Sequence, residues 1–272
     1  MYPELFKIGP IAIRGYGLML TLSFLLGLYY IYKISQKRKI NFDHLLNIAF
    51  LMIFGGVLGA RLFYVLFHLE EFSGNWLNSI NPFQSGQFGI AGLNLYGGVL
   101  ISIVLSFIYI RRKKMPLLAT FDIFAPTLGL GLIFTRIGCF MNGCCFGTPT
   151  DLPWGVAFPD GSIPYYIFGD AHLHPSQLYS SLYGLLLFLL LHWRLKRKSF
   201  DGQVLALLFM IEAIFRYLIE YVRYYESEMH FQFFGMSPTY NQAISIMLFL
   251  LGLIIYIVQY RSAQIRPEKT AE

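Results

Sequence analysis

The sequence predicts an all-α polytopic membrane protein with seven transmembrane helices, an outside N-terminus and an inside C-terminus. Three observations lead to this fold class. The chain of 272 residues is 56% hydrophobic and only 13% charged. It contains a series of long apolar runs, and its Lys and Arg residues are concentrated in every second connecting segment. Soluble domains rarely combine such a composition with apolar runs of membrane-spanning length.

The apolar runs define the predicted spans in order along the chain. They lie at about 14–34, 43–67, 95–110, 117–141, 174–193, 202–223 and 238–260. Each is close to the roughly 20 residues that a helix needs to cross the hydrocarbon core. We expect a single membrane domain, 1–272, with an outer loop at 68–94 and a small periplasmic cap at 142–173. The Gly, Pro and aromatic residues of the cap predict short strands and turns.

The basic residues determine the predicted orientation. Clusters of Lys and Arg begin at Lys33, Arg111, Arg194 and Arg261. No Lys or Arg occurs between Arg61 and Arg111, or between Arg136 and Arg194. Basic loops stay in the cytoplasm, so the clusters are predicted inside and the acidic loops outside. Contact with anionic lipid accounts for the net charge of +6, and we expect no nucleic-acid partner.

Apart from Arg14 near the N-terminus, four arginines fall outside these clusters: Arg61, Arg136, Arg216 and Arg223. An arginine at the bilayer centre costs about 2.5–3.5 kcal/mol on insertion scales. The predicted topology places three of them in the outer half of the membrane and Arg223 at its outer edge. Snorkelling or structural pairing is the simpler explanation for any one of them. Glu220, for example, follows Arg216 by one helical turn on the same face.

Polar residues of the other spans share this depth. The outer ends of spans one, three and five carry Tyr16, Tyr96, His174 and Gln177. Scattered structural pairs would not need a common depth, so the pattern predicts one positively charged polar cavity. Guanidinium groups match phosphate oxygens, which makes a phospholipid headgroup the expected ligand. Asp122 and Glu212 are predicted at other depths, with structural roles. Helix packing explains most of the glycines in "GGVLGAR" and "YGG".

All three cysteines lie at the outer end of span four, as Cys139, Cys144 and Cys145. Their C-x4-CC spacing lacks the second Cys pair or close His ligands of a zinc site, so we expect no metal and no cofactor. Packing of the turn is the favoured interpretation. A disulfide between two of them would leave an odd thiol. A nucleophilic role would need a nearby base, for which His174 is the candidate.

Six motifs in order resemble the bacterial prolipoprotein diacylglyceryl transferases. They are "GPIAIRGYGLM", "GGVLGARLFYVLF", "LYGGVL", "TRIGCFMNGCCFG", "HPSQLY" and "FRYLIEYVR". The fourth stands at the family signature, usually G-R-x-G-N-F-x-N-x-E-x-x-G, and "LYGGVL" stands at the family's His-Gly-Gly position. Together these motifs cover most of the chain.

The resemblance implies a transferase of the bacterial inner membrane that acts in lipoprotein biosynthesis. Its partners would be phosphatidylglycerol, prolipoprotein signal peptides and membrane lipids. It would move the diacylglyceryl group to the lipobox cysteine as a thioether and release glycerol phosphate. The candidate catalytic residues are Arg136, Arg216, Tyr96 and Glu220. The candidate substrate-binding residues are Tyr16, Arg61, Asn142, Gly147, His174, Gln177 and Arg223.

Three departures from the family pattern matter for the chemistry. Tyr96 replaces the family histidine, Cys139 the signature asparagine and Cys144 the signature glutamate. A phenol with a pKa of about 10 is a poor base at neutral pH. Either the base lies elsewhere, Tyr96 only positions the lipid, or the activity has changed. A paralogue with another acceptor and a non-catalytic phospholipid-binding or transport protein therefore remain alternatives.

Overall fold

The structure is a computed structural model that describes residues 4–8, 11–72, 74, 83–84, 87–88, 94–225, 232 and 237–268. Most of the predicted outer loop 68–94 lies outside the described residues. In chain order the elements are β1 (Glu4–Ile8), β2 (Ile11–Arg14), α1 (Gly15–Arg38), α2 (Phe42–Phe67), α3 (Leu69–Phe72), β3 (Phe83–Gln84), β4 (Gln87–Phe88), α4 (Leu95–Arg112), α5 (Leu117–Asn142), α6 (Ile163–Phe168), α7 (Ser176–Lys196), α8 (Gln203–Ile219) and α9 (Tyr240–Glu268).

A long helix stands at each predicted span. Five of them are long and apolar enough to cross a membrane: Gly15–Arg38, Phe42–Phe67, Leu117–Asn142, Ser176–Lys196 and Tyr240–Ile265. α4, with 18 residues, and α8, with 17, complete the predicted set of seven. The chain is therefore a polytopic membrane protein, and the seven-span arrangement stays a prediction.

Large apolar side chains cover the outside of these helices. Leu58, Phe67, Leu182 and Met247 are each at least 60% exposed. A water-soluble protein would hide such a surface, whereas lipid solvates it. Helices suit this environment because their backbone hydrogen bonds are satisfied within the segment.

One compact unit comprises Ile31–Thr120 and is dominated by the pairing of α2 with α4. Glycines bring the two helices together. A Cβ added to Gly98 would lie 2.7 Å from the carbonyl oxygen of Gly56, and one added to Gly59 or Gly97 would collide with the facing helix. The packing interpretation of these glycines is confirmed. The Gly97–Gly98 pair therefore gives no separate support for a ligand role of Tyr96.

The other unit comprises Met1–Tyr30 and Phe121–Glu272. Small residues again set the helix contacts. A Cβ at Gly184 of α7 would lie 3.0 Å from the carbonyl oxygen of Gly129 in α5. One at Gly252 of α9 would lie 2.9 Å from that of Ala206 in α8. Close backbone approach is the usual way in which membrane helices associate.

Asp122 ties the start of α5 to the start of α8. Its Oδ1 accepts the backbone N–H groups of Val204 and Leu205 at 3.0 and 2.9 Å. Its Oδ2 accepts the N–H of Gly202 and the ammonium group of Lys198, both at 2.9 Å. The carboxylate is fully buried and caps a helix N-terminus, where negative charge is favoured. The predicted structural role of Asp122 is confirmed.

The predicted cap contains short extended segments, as the sequence indicates. Isolated bridges join Pro149 to Leu173 and Val156 to Leu173. The cap also contains the short helix α6. Phe146, Phe158 and Leu173 form the buried core of the cap. Two short hairpins add to the helical fold. β1 and β2 form an antiparallel hairpin ahead of α1, and β3 and β4 form a second, smaller one.

Candidate active site

The signature turn after α5 is held between two other segments. The N–H of Gly147 donates to the carbonyl of His174, and the N–H of Thr148 donates to that of Val222, both at 3.0 Å. The N–H of Tyr224 donates to the carbonyl of Phe146 at 3.1 Å. A Cβ on Gly147 would collide with both flanking segments. Packing alone therefore accounts for the glycine at this predicted substrate-binding position.

The first turn of α7 anchors the same signature turn. Ser176 Oγ donates to the carbonyl of Cys145 at 2.7 Å, and Gln177 Nε2 donates to that of Cys144 at 2.8 Å. Gln177 is fully buried, and its Oε1 has no hydrogen-bond partner within the described part of the chain. His174 contacts the Tyr179 hydroxyl through Nδ1 at 3.3 Å. Gln177 thus stabilises the signature turn through its hydrogen bond to the backbone carbonyl of Cys144.

A hydrogen-bonded network holds Arg216 at the end of α8. Its Nη2 lies 3.1 Å from Glu220 Oε1 and donates to the Tyr225 hydroxyl at 2.8 Å. That hydroxyl donates to Glu220 Oε1 at 2.7 Å. Glu220 Oε2 accepts from Thr239 Oγ1 at 2.7 Å and from Asn241 Nδ2 at 3.3 Å. The predicted pair is confirmed, and the buried Glu220 has both oxygens occupied, which suits it to positioning Arg216.

Tyr225 is a member of this network that the sequence analysis missed. Burial raises the pKa of its hydroxyl to about 12, although the Arg223 and Arg216 charges oppose the shift. The group therefore stays protonated near neutral pH and can bridge Arg216 to Glu220. No motif or spacing marks it, because it lies in an aromatic-rich segment after the predicted span.

Arg136 lies in the last two turns of α5 and is half-buried. Within the described part of the chain it has no hydrogen-bond or ion-pair partner. Both Arg136 and Arg216 act electrostatically on the carboxylate of Glu212. Glu212 precedes Arg216 by one helical turn, so it shares that face of α8. The position of Glu212 beside Arg216 follows from this spacing, while its predicted location at another depth stays a prediction.

Arg223 completes a cationic group with Arg136 and Arg216. Its guanidinium lies over the ring of Tyr225, 5.0 Å from the centroid. Its Nε is buried and finds no hydrogen-bond partner among the residues described. Arg223 and Arg136 both act on the sulfur of Cys145. Three guanidinium groups thus meet two carboxylates, one of which, Glu220, is already fully hydrogen-bonded.

Tyr16 and Asn142 border this cluster. A Cβ on Gly138 of α5 would lie 3.1 Å from the ring of Tyr16 in α1, so the two helices are in close contact. The Tyr16 hydroxyl interacts with Arg136 and with the three cysteine sulfurs. Asn142 is the last residue of α5 and is exposed.

All three cysteines are free thiols, and their sulfur atoms lie within 4.8 Å of one another. Hydrogen bonding with the Cys139 and Cys144 sulfurs lowers the pKa of the Cys145 thiol. Burial opposes this shift, while the charges of Arg223 and Arg136 reinforce it. The cysteines are therefore a chemically connected group rather than three separate packing residues.

Arg61 and Tyr96 belong to the unit Ile31–Thr120. The Arg61 guanidinium lies 5.3 Å from the ring centroid of Phe72, and Tyr96 is 56% exposed in the first turn of α4. The side chain of Asn94 caps that turn by accepting the N–H of Tyr96 at 3.0 Å. A cavity shared by these two residues and Arg136 stays a prediction.

These features define a class: a polytopic membrane protein with a cluster of incompletely paired arginines suited to an anionic ligand. A model of the prolipoprotein diacylglyceryl transferase family matches residues 3–258. The chain belongs to this family and is a transferase.

Three similar proteins carry the same name. A phosphatidylglycerol–prolipoprotein diacylglyceryl transferase of Bordetella avium is 35% identical over 271 residues, with 97% of each chain covered. That of Clostridium tetani is 34% identical over 223 residues, covering 82% of this chain and 86% of the relative. That of Campylobacter hominis is 32% identical over 270 residues, covering 96% and 92%. The family resemblance stated from the six motifs is confirmed.

Proposed function

We propose that this protein transfers the diacylglyceryl group of phosphatidylglycerol to the lipobox cysteine of prolipoproteins. It works in the bacterial inner membrane with seven spans, its N-terminus outside and its C-terminus inside. The acceptor enters as part of a prolipoprotein signal peptide, and membrane lipids surround the site. The names of the relatives and the arginine cluster both support this assignment.

The observation that carries the proposal is the guanidinium of Arg136, which is half-buried and has no hydrogen-bond or ion-pair partner among the described residues. Its charge acts on the Glu212 carboxylate, but with Arg216 and Arg223 close by, the described cations outnumber the carboxylates, and such an excess is unfavourable in the absence of an anion. Arg216 has hydrogen bonds only through Nη2 in the described part of the chain, so its remaining N–H groups are available. Planar guanidinium groups bind phosphate oxygens in pairs. A phosphodiester headgroup supplies the missing charge.

The reaction follows from this placement of charge. The acceptor thiol gives its proton to a base, and the thiolate attacks the carbon of the diacylated glycerol that is bonded to the phosphate oxygen. The S–C bond forms as that C–O bond breaks, and glycerol phosphate leaves with the bonding electrons. Arg136 and Arg216 stabilise the charge that develops on the leaving phosphate, and such fixed charge is a major source of catalysis.

The other candidate residues have supporting roles in this proposal. Glu220 positions Arg216, while Arg223, Tyr16 and Asn142 line the headgroup site. His174, Gln177 and Gly147 hold the signature turn in place. Arg61 and Tyr96 are the candidate residues of the α2–α4 unit. The Tyr96 phenol donates a hydrogen bond to a phosphate oxygen or, as a phenolate, accepts the thiol proton.

Complementation of a strain depleted of its own transferase tests the activity. Lipoprotein from the rescued cells is analysed by mass spectrometry, and we expect the mass of one added diacylglyceryl group. The proposal would be contradicted if the cells grew without modified lipoprotein. It would also be contradicted if this protein reached the membrane and did not rescue growth. Phospholipid binding by such an inactive protein would favour the non-catalytic alternative.

Variants of Tyr96 test whether this protein uses the same chemistry as the rest of the family. We expect Tyr96→Phe to lower turnover at least about tenfold, a loss of about 1.4 kcal/mol in the transition state. Phosphatidylglycerol binding persists in this variant, and Tyr96→His retains turnover because it restores the family residue. Wild-type turnover by Tyr96→Phe would leave Tyr96 as an interfacial aromatic anchor.

The orientation is tested separately with reporter fusions. Fusions after Lys114 and Lys198 both report the cytoplasm if the basic segments lie inside. A periplasmic signal at either position would overturn the common depth predicted for the arginines.

A further inference from the structure

The three cysteines converge on one point, although their spacing in the sequence is irregular. Cys139 lies in the last turn of α5 and is buried, while Cys144 and Cys145 follow in the turn and are half-buried. Every pair of sulfur atoms is within 4.8 Å. Packing of a turn needs small side chains, but it does not require three sulfur atoms to meet.

The backbone of the turn fixes this arrangement. The N–H of Cys144 donates to the carbonyl of Cys139 at 3.1 Å, which closes the end of the helix. Cys145 has a φ of 61°, in the left-handed region that non-glycine residues seldom occupy. Ser176 and Gln177 hold the carbonyl groups of Cys145 and Cys144. Hydrogen bonds thus hold the backbone of the turn that carries Cys144 and Cys145.

The sulfur separations suit a thiophilic metal. With Zn–S bonds of about 2.3 Å, sulfur ligands of a tetrahedral zinc ion lie about 3.8 Å apart. A small contraction of the cluster reaches this value. A disulfide needs sulfur atoms about 2.05 Å apart and uses only two of the three cysteines.

The surrounding charge also suits such a site. Three thiolates and one Zn²⁺ carry one net negative charge. Arg223 and Arg136 both act on the sulfur of Cys145, and so they offset this charge in a region where carboxylates are few. The cluster therefore combines ligands, a hydrogen-bonded turn and compensating charge.

We propose that Cys139, Cys144 and Cys145 bind one Zn²⁺ ion through three thiolates, with a fourth coordination position left open. The sequence interpretation assigned no metal because the C-x4-CC spacing has no second pair. The structure nevertheless brings the sulfur of Cys139, at the end of α5, to those of Cys144 and Cys145 in the turn. Three protein ligands and an open position are the arrangement found where zinc acts on a bound molecule. This site does not depend on the proposed transferase activity.

Titration of the full-length protein with Co²⁺, a spectroscopic substitute for Zn²⁺, tests the site. The protein is purified without chelators under reducing conditions. We expect one Co²⁺ per chain, with thiolate-to-cobalt charge-transfer absorption that Zn²⁺ abolishes. Cys144→Ser and Cys145→Ser should each weaken binding by about a hundredfold or more. The matched control is His172→Gln, which removes an exposed imidazole in the cap and should bind as wild type does.

A second measurement needs no variant. Wild-type protein is treated with iodoacetamide with and without Zn²⁺, and the modified cysteines are counted by mass spectrometry. Protection of all three thiols by one equivalent of Zn²⁺ supports the site. Equal alkylation in both conditions would overturn it, as would an oxidised pair with one remaining thiol after purification under reducing conditions.

Discussion

The two ends of α5 carry buried charge in opposite ways. At its start, Asp122 is surrounded by donors: one ammonium group and three backbone N–H groups. Near its end, Arg136 has no hydrogen-bonding partner in the described part of the chain, and the Nε of Arg223 is buried and unpaired. The first arrangement is complete within the protein, whereas the second has unused hydrogen-bond donors as far as the described residues show, and we propose that a bound anion accepts from them.

This difference distinguishes charged side chains that stabilise the fold from charged side chains that we propose bind a ligand. Buried ionisable groups within membrane proteins are costly and mark function when nothing structural accounts for them. Asp122 is accounted for by helix capping and its pair with Lys198. Arg216 is intermediate, since Glu220 and Tyr225 hold one end of its guanidinium group. Variants at the two ends of α5 should therefore fail in different ways.

The largest effect is expected at Asp122, and it concerns stability. Asp122→Ala leaves Lys198 with only its exposed partner Asp201 and uncaps α8. We expect a loss of about 3 kcal/mol in unfolding free energy, from the broken buried pair and the lost cap. Thermal unfolding in detergent measures this as a lower midpoint, while KM for phosphatidylglycerol stays unchanged in the folded fraction.

Asp201→Asn is the matched control for this variant. It removes the other carboxylate that contacts Lys198, at 2.7 Å, but that carboxylate is more than half exposed. Surface pairs contribute about 0–1 kcal/mol, so the midpoint should hardly move. A raised KM with normal stability in Asp122→Ala would contradict the contrast between the two ends.

Arg136→Ala should show the reverse behaviour. Removing a group that stabilises charge in the transition state lowers turnover by about 100-fold or more, equivalent to about 2.7 kcal/mol. Stability should fall much less than in Asp122→Ala, because the lost charge makes no hydrogen bond or ion pair with any described residue. Arg136→Lys is the sharper test, since it keeps the charge but lacks the planar fork. Wild-type kinetics in the lysine variant would exclude paired contacts to the phosphate.

The sequence predicted the helices well because membrane spans are long and uniform in composition. The four arginines were found for the same reason, since charge stands out in an apolar run. Arg216 and Glu220 were paired correctly because residues four apart on a helix are neighbours by geometry. The same rule would have placed Glu212 beside Arg216.

Long-range contacts were beyond the reach of these patterns. Tyr225, Thr239 and Asn241 reach Glu220 from outside α8, and no local signal predicts where a turn returns. The meeting of the three sulfur atoms likewise depends on a left-handed residue, Cys145, that sequence patterns do not reveal. The sequence patterns do not predict the hairpin of β1 and β2, because its residues directly precede the first apolar run.

Glu220→Gln tests whether the Arg216 network is structural or functional. The amide keeps hydrogen bonds to Thr239 and Asn241 but loses the charge that holds Arg216. Because hydrogen bonds to charged groups contribute about 1.5–3 kcal/mol, we expect turnover to fall about tenfold. Steady-state kinetics with phosphatidylglycerol vesicles measures the change. A loss of stability with unchanged kinetics would place Glu220 with Asp122 as a purely structural carboxylate.

Tyr225→Phe should give the smallest effect. It tests how far Arg216 depends on contacts within the protein. The variant keeps the ring beneath Arg223 but removes the hydroxyl that links Arg216 to Glu220. The direct contact between Arg216 and Glu220 at 3.1 Å remains, so Arg216 stays close to its position. Loss of one neutral hydrogen-bonding group amounts to about 1 kcal/mol, or about a fivefold lower kcat/KM. Tyr221→Phe is the control, since its side chain is exposed and its hydroxyl contacts Tyr217 at 3.4 Å, a residue outside the Arg216–Glu220–Tyr225 network. If both variants behave as wild type, the hydroxyl of Tyr225 is dispensable and the ion pair alone positions Arg216. If Tyr225→Phe instead matches the loss in Glu220→Gln, the hydroxyl and the carboxylate act as one unit, and Arg216 depends on protein contacts as strongly as Asp122 does.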